Sequence, residues 1–169
     1  MTYKYNNITS LANSLSSCNF YNNNDNNNDI ELKIYINETN YYSIKATYIN
    51  NTIFSLNFDI KDDKIRIEYL NINNDYYSNK FNEKIFLTID EYKLLKEAIF
   101  NYIEKIAYKN NKRRIIIDIH NNLERYNYEL KDIGFIITNR RCIDNTFWIE
   151  TEKILKNDYI FYENNNKYE

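Results

Sequence analysis

From residue 30 onward, apolar and polar positions alternate with a period of two, and then the period changes. Ile30-Glu31-Leu32-Lys33-Ile34-Tyr35-Ile36 keeps strict alternation, the pattern of a strand with one buried face. Three more segments of strand character follow, over 41–49, 52–60 and 64–73. Asn50-Asn51 supplies a hairpin turn between the second and third, because Asn tolerates positive φ, and Asp62-Asp63 turns the chain into the fourth. The fourth segment slips phase. Ile65, Ile67 and Tyr69 occupy one face, while Leu70 and Ile72 continue the apolar series one residue out of step. A β-bulge gives such a slip, and so does burial on both faces.

Beyond residue 87 the period becomes helical. Thr88 with Glu91 three residues on forms a capping box, and Leu95, Ala98, Ile99, Tyr102, Ile103 and Ile106 fall on one helical face. Ile115-Ile116-Ile117-Asp118-Ile119 is a short β-branched run, as expected of an interior strand covered on both sides. A second helix over 123–133 leads into Gly134, and two closing strands over 135–138 and 146–151 are joined by a polar turn over 139–145. The order is β-β-β-β-α-β-α-β-β, which predicts an α/β (α+β) domain with a mixed, mostly antiparallel sheet and helices on its faces.

The flanks differ in character. Residues 1–29 combine a weak helix with an Asn/Asp tract that has little to bury, and the tail over 156–169 is polar and Asn-rich. The ordered domain is therefore expected over 30–155.

Composition sharpens two points. Gly134 is the only glycine and the chain has no proline. It stands at the helix-to-strand joint, where a left-handed residue is favoured, and its solitude excludes a glycine-rich phosphate cradle elsewhere. The wealth of Asn, Ile, Lys and Tyr is the bias of an AT-rich genome, as in giant DNA viruses, protists and low-GC bacteria.

A formal net charge of −2 gives no general attraction for nucleic acid or an anionic membrane. Lys112-Arg113-Arg114 and Arg140-Arg141 are short basic clusters rather than a basic face. Cys18 and Cys142 make neither a disulfide framework nor a metal motif. No run reaches membrane-spanning length and the first residues lack a signal-peptide core, so the expectation is a cytoplasmic protein, in a host cell or virion if the source is viral.

The element order resembles the GNAT N-acetyltransferase fold over roughly residues 30–155. Its best local stretch is Asn121-Asn122-Leu123-Glu124-Arg125-Tyr126-Asn127-Tyr128-Glu129-Leu130-Lys131-Asp132-Ile133-Gly134-Phe135, similar to that family's Asn, short helix and tyrosine-bearing turn before Gly-Phe. The resemblance implies that the fourth of these strands parts from the fifth and that acetyl-CoA lies in the gap. There, freed backbone N–H groups bind the pantetheine and polarise the thioester.

The family's Val-x-Pro-x-Tyr-Arg-x-x-Gly-x-Gly/Ala stretch lies over Leu70 to Asn82. Ile72 and Tyr76 match, Asn74 replaces Pro, Tyr77 takes the Arg place, and Lys80 and Asn82 take the glycine places. The implied cofactor contacts are Leu70, Ile72, Tyr77, Lys80, Asn82 and Asn122, the last explained equally well as a helix cap.

The implied reaction moves acetyl to a primary amine, on a small molecule or a protein. Glu68 on the fourth strand is one candidate base, or a polar residue on a solvated face. His120, the only histidine, closes the apolar strand where ligand crevices form, and is a second base candidate or a structural hydrogen-bonder. Tyr128 stands near, though not at, the place of the family's thiolate-protonating tyrosine. A second reading fits the changed glycine places: a GNAT-like module without acetyl-CoA, serving binding or structure. Pairing of two copies through the terminal strands is expected of such domains.

Overall fold

The computed structural model describes residues 1–21, 30–48, 51–72, 87–120 and 129–156. Among the described residues the elements in chain order are β1 Thr2–Tyr5, α1 Ile8–Ser17, β2 Ile30–Ile36, β3 Tyr41–Tyr48, β4 Asn51–Ile60, β5 Lys64–Ile72, α2 Ile89–Lys109, β6 Arg114–His120, β7 Ile136–Ile143 and β8 Thr146–Ile154. The eight strands are ordered β1-β2-β3-β4-β5-β6-β8-β7, a mixed and mostly antiparallel sheet as the patterning predicts. Asn50 of the expected hairpin turn lies outside the described residues, and Asn51 opens β4.

The chain divides into two compact units: residues 1–58 with 69–103, and residues 59–68 with 104–169. In the first, β1 pairs antiparallel with β2 from Thr2↔Lys33 to Tyr5↔Ile30. This strand was not legible in the alternation, since only four residues carry it and Tyr5 alone is buried. α1 starts where Asn7 Oδ1 accepts from the Ser10 N–H at 2.8 Å, and it ends on Cys18 at φ 58°. Ile8, Leu11, Ala12 and Leu15 recur at helical spacing and are all buried. The buried hydroxyls of Tyr5 and Ser14 meet at 2.7 Å, so neither is left without a partner. β2 and β3 pair in register from Ile30↔Tyr48 to Ile36↔Tyr42, and Leu32, Ile34, Ile44 and Ala46 face inward.

The capping box expected at α2 is formed in both directions. The Thr88 N–H donates to Glu91 Oε2 at 2.8 Å and the Glu91 N–H to Thr88 Oγ1 at 3.2 Å. Leu95, Ala98, Ile99, Tyr102, Ile103 and Ile106 are all buried. The phase slip in β5 shows in its burial: Ile65 and Ile67 are buried, Glu68 and Tyr69 are both exposed, and Ile72 is buried again.

The second unit is built around β6. Its parallel ladder with β5 runs from Lys64↔Arg114 to Ile67↔Ile117, and its antiparallel ladder with β8 from Arg114↔Ile154 to His120↔Trp148. Partners in a ladder point to one side of the sheet. Ile65, Ile67, Ile115, Ile117 and Ile119 therefore form one apolar face. Arg66, Ile116, Asp118, Glu150 and Trp148 share the other.

Gly134 sits at φ 92° in a Schellman motif. The Phe135 N–H donates to the Leu130 carbonyl and the Gly134 N–H to the Lys131 carbonyl, both at 3.0 Å, while Leu130 and Phe135 are buried. Residues 129–132 are the described end of the second expected helix.

One boundary differs from the sequence reading. β7 continues to Ile143, and the turn contracts to Asp144-Asn145, with φ of 50° and 59°. That is a two-residue hairpin of the twist-matched type, which Asp and Asn tolerate. The polarity of 139–142 suggested a loop. It belongs instead to the outermost strand in the sheet order, where exposed side chains carry no penalty.

Candidate functional site

The polar face of the second unit carries a concentrated ionic arrangement. Asp118 lies on β6 amid isoleucines, where a lone carboxylate would be costly. Two guanidiniums meet it: Arg66 on β5 and Arg141 on β7 each direct Nη2 to Asp118 Oδ2, the second at 2.9 Å. Bonding to Asp118 raises the Arg66 pKa above its ordinary value, so this residue is a permanent cation. Asp118 Oδ1 and Arg141 Nε are buried without a partner among the described residues. Farther along the same face, Arg114 bonds Asp63 and Glu152.

Asp118 and Arg141 open onto a cleft of about 440 Å³, whose other walls are Ile143, Asp144, Thr146 and Trp148. The β7–β8 hairpin supplies most of it. The register makes the wall: Arg141 pairs with Trp148 and Ile143 with Thr146, so all four point to one side. The tight turn fixes Asp144 at the rim. The cleft thus holds a guanidinium, two carboxylates, a hydroxyl and an indole, enough to orient a small polar ligand. Among the described residues no group of three or more His, Cys, Asp or Glu could hold a metal ion.

The residues singled out from sequence are placed as follows. Glu68 is exposed on β5, immediately after the last ladder pair, Ile67↔Ile117. Leu70 is half-buried and Ile72 buried on the same strand. The backbone of His120 ends β6 opposite Trp148, so this base candidate stands in register with a wall of the cleft. Tyr77, Lys80, Asn82, Asn122 and Tyr128 lie outside the described residues.

Sequence reasoning missed Asp118 and Arg141. The signal was partial: a single acid within a β-branched strand needs a cation, but nothing local says which of the 22 Lys and Arg residues supplies it.

No protein-family model matches the chain, and no curated protein matches it. Solved structures do. A GNAT family acetyltransferase from Elizabethkingia anophelis, crystallised with acetyl-CoA bound, aligns with a TM-score of 0.50 at 14% identity, covering 75% of this chain and 99% of that one. Nourseothricin acetyltransferase aligns with a TM-score of 0.55 at 6% identity, over 73% of this chain and 71% of the other. The ribosomal-protein-S18-alanine N-acetyltransferase of Escherichia coli gives 0.51 at 10% identity, over 71% and 72%. At such identities the likeness is one of architecture, and it agrees with the strand order and the parallel β5–β6 pairing described above. The chain has the fold of the GNAT acetyltransferases.

Proposed function

We propose that this chain is an N-acetyltransferase that moves the acetyl group of acetyl-CoA to a primary amine. The observation that carries the reading is the short parallel ladder: β5 and β6 register only as far as Ile67↔Ile117, while β5 runs on to Ile72 and β6 to His120. On a sheet of this fold, backbone N–H groups of β5 past Ile67 are suited to hold a pantetheine arm and to polarise a thioester carbonyl.

Acetyl-CoA supplies the activated acetyl group when bound. Leu70 and Ile72 would contact its pantetheine, Tyr77, Lys80 and Asn82 its pyrophosphate, and Asn122 would add a further contact. Glu68 or His120 takes a proton from the acceptor's ammonium, leaving a nucleophilic amine. Amide formation would cleave the thioester C–S bond, Tyr128 would be the candidate proton donor to the departing sulfur, and the net reaction would release one proton per turnover.

The second reading, a GNAT-like module without the cofactor, draws on the sequence itself. Lys80 and Asn82 stand where the family's glycines let the backbone approach pyrophosphate. Release of the CoA thiol in a panel of primary amines separates the two. Acceptor-dependent release, lowered at least about a hundredfold by Glu68→Gln or His120→Gln, supports the transferase and names its base. No release with any amine supports the module.

A further inference from the structure

Resting on the acetyltransferase reading, we infer that the hairpin cleft is the acceptor site and that its acceptor is a zwitterion: a free amino acid with an apolar side chain. The charge balance is the first argument. Arg141 lines the cleft with Asp118 and Asp144, and Arg66, outside the lining, offsets the Asp118 charge, which leaves one charge of each sign, on Arg141 and Asp144, facing a ligand. A polyamine or aminoglycoside calls for a surplus of carboxylates, and a purely anionic ligand for a surplus of cations. This site has neither.

The distribution of charge is the second argument. Asp118 already accepts from two guanidiniums through Oδ2, so its charge is committed within the protein. Among the described residues Arg141 spends only Nη2 on that contact, and its side chain keeps 38% exposure. A guanidinium held from behind by a carboxylate is a preorganised partner for a second carboxylate in front. Asp144 lies on the same cleft, set by the two-residue turn, and offers the counter-charge to an ammonium. Between them, Trp148 and Ile143 form an apolar wall for a side chain.

Size and position complete the case. About 440 Å³ suits a ligand the size of a single amino acid. The backbone of His120 stands in register opposite Trp148, a wall of the cleft.

Trp148 is the only tryptophan in the chain, so its emission, excited where tyrosine does not absorb, reads this cleft directly. The full-length protein is titrated with L-leucine, L-methionine and L-phenylalanine, and then with leucinamide, 4-methylpentanoate and spermidine. Saturable change is expected with at least one of the three amino acids. For leucine, loss of either the carboxylate or the amine should weaken binding about tenfold or more. Arg141→Gln should abolish the preference for leucine over leucinamide, and Asp144→Asn the preference over 4-methylpentanoate. Unchanged thermal melts of both variants show that the fold is intact.

Saturation by spermidine with no response to any amino acid overturns the proposal, as does silence to all six probes. Acetyl-CoA is titrated separately. Amino-acid binding without acetyl-CoA binding keeps the site and removes the transferase; acetyl-CoA binding without amino-acid binding keeps the transferase and removes the proposed acceptor.

Discussion

Replacing Asp118 with Asn tests whether the ionic arrangement under the cleft holds the protein together. Asn fills the same volume and keeps an accepting oxygen, so the change removes charge without creating a cavity. The Asp118 side chain is 17% exposed, and the side chains of Arg66 and Arg141 are 34% and 38% exposed. Removing one partner of a fully buried ion pair costs about 3–5 kcal/mol. A fully exposed pair contributes about 0–1 kcal/mol. Here both arginines retain enough contact with water to rehydrate in part, which places the loss between these limits, at about 2 kcal/mol.

For a chain of this length that corresponds to a fall in Tm of about 4–8 °C. Urea denaturation should show a lower midpoint with an unchanged m-value. Asp63→Asn is the control, because Asp63 also meets an arginine, Arg114, but in the open, and it should leave the midpoint unchanged. Combining Asp118→Asn with Arg141→Gln should give a coupling of about 1 kcal/mol in a double-mutant cycle. A midpoint for Asp118→Asn equal to that of the Asp63 control would refute the reasoning.

Two further predictions concern the scaffold. Gly134→Ala should cost about 1–2 kcal/mol through its left-handed backbone alone, since an added Cβ meets nothing nearer than Lys153 Cε at 3.5 Å. Gly134→Asn should lose less, and equal losses in the two variants would show that φ is not the cause. The second concerns alkaline pH. Burial pushes the hydroxyls of Tyr5 and Tyr102 above their ordinary pKa, so folding favours their protonated forms. Their contribution is fully present below the unfolded value near pH 10 and is lost as pH rises through the folded values. Each adds a slope of about 1.4 kcal/mol per pH unit over that interval. Urea midpoints should fall steeply above about pH 10, and a flat profile there would contradict the assigned burial.

Much of the fold could be read from the chain because the signals were periodic. Strand alternation from Ile30, the Thr88–Glu91 capping box and Gly134 at its helix end each specify one backbone geometry, and each is found in the structure. β1 escaped because four residues are too few to establish a period. β7 escaped beyond 138 because an edge strand does not bury the side chains that would reveal it.

The site was less legible for a different reason. Asp118 is explained only by residues 52 positions before it and 23 after it, and no local pattern brings Arg66 and Arg141 to one carboxylate. The family resemblance led instead to Glu68 and His120 and to a phosphate stretch over Tyr77, Lys80 and Asn82.

Isothermal titration of the full-length protein with acetyl-CoA, with CoA and ATP as controls, tests the transferase most directly. Saturable binding in roughly the micromolar range, lost in Lys80→Glu, is the predicted result. No heat up to millimolar acetyl-CoA would contradict it and leave a GNAT-like fold put to another use.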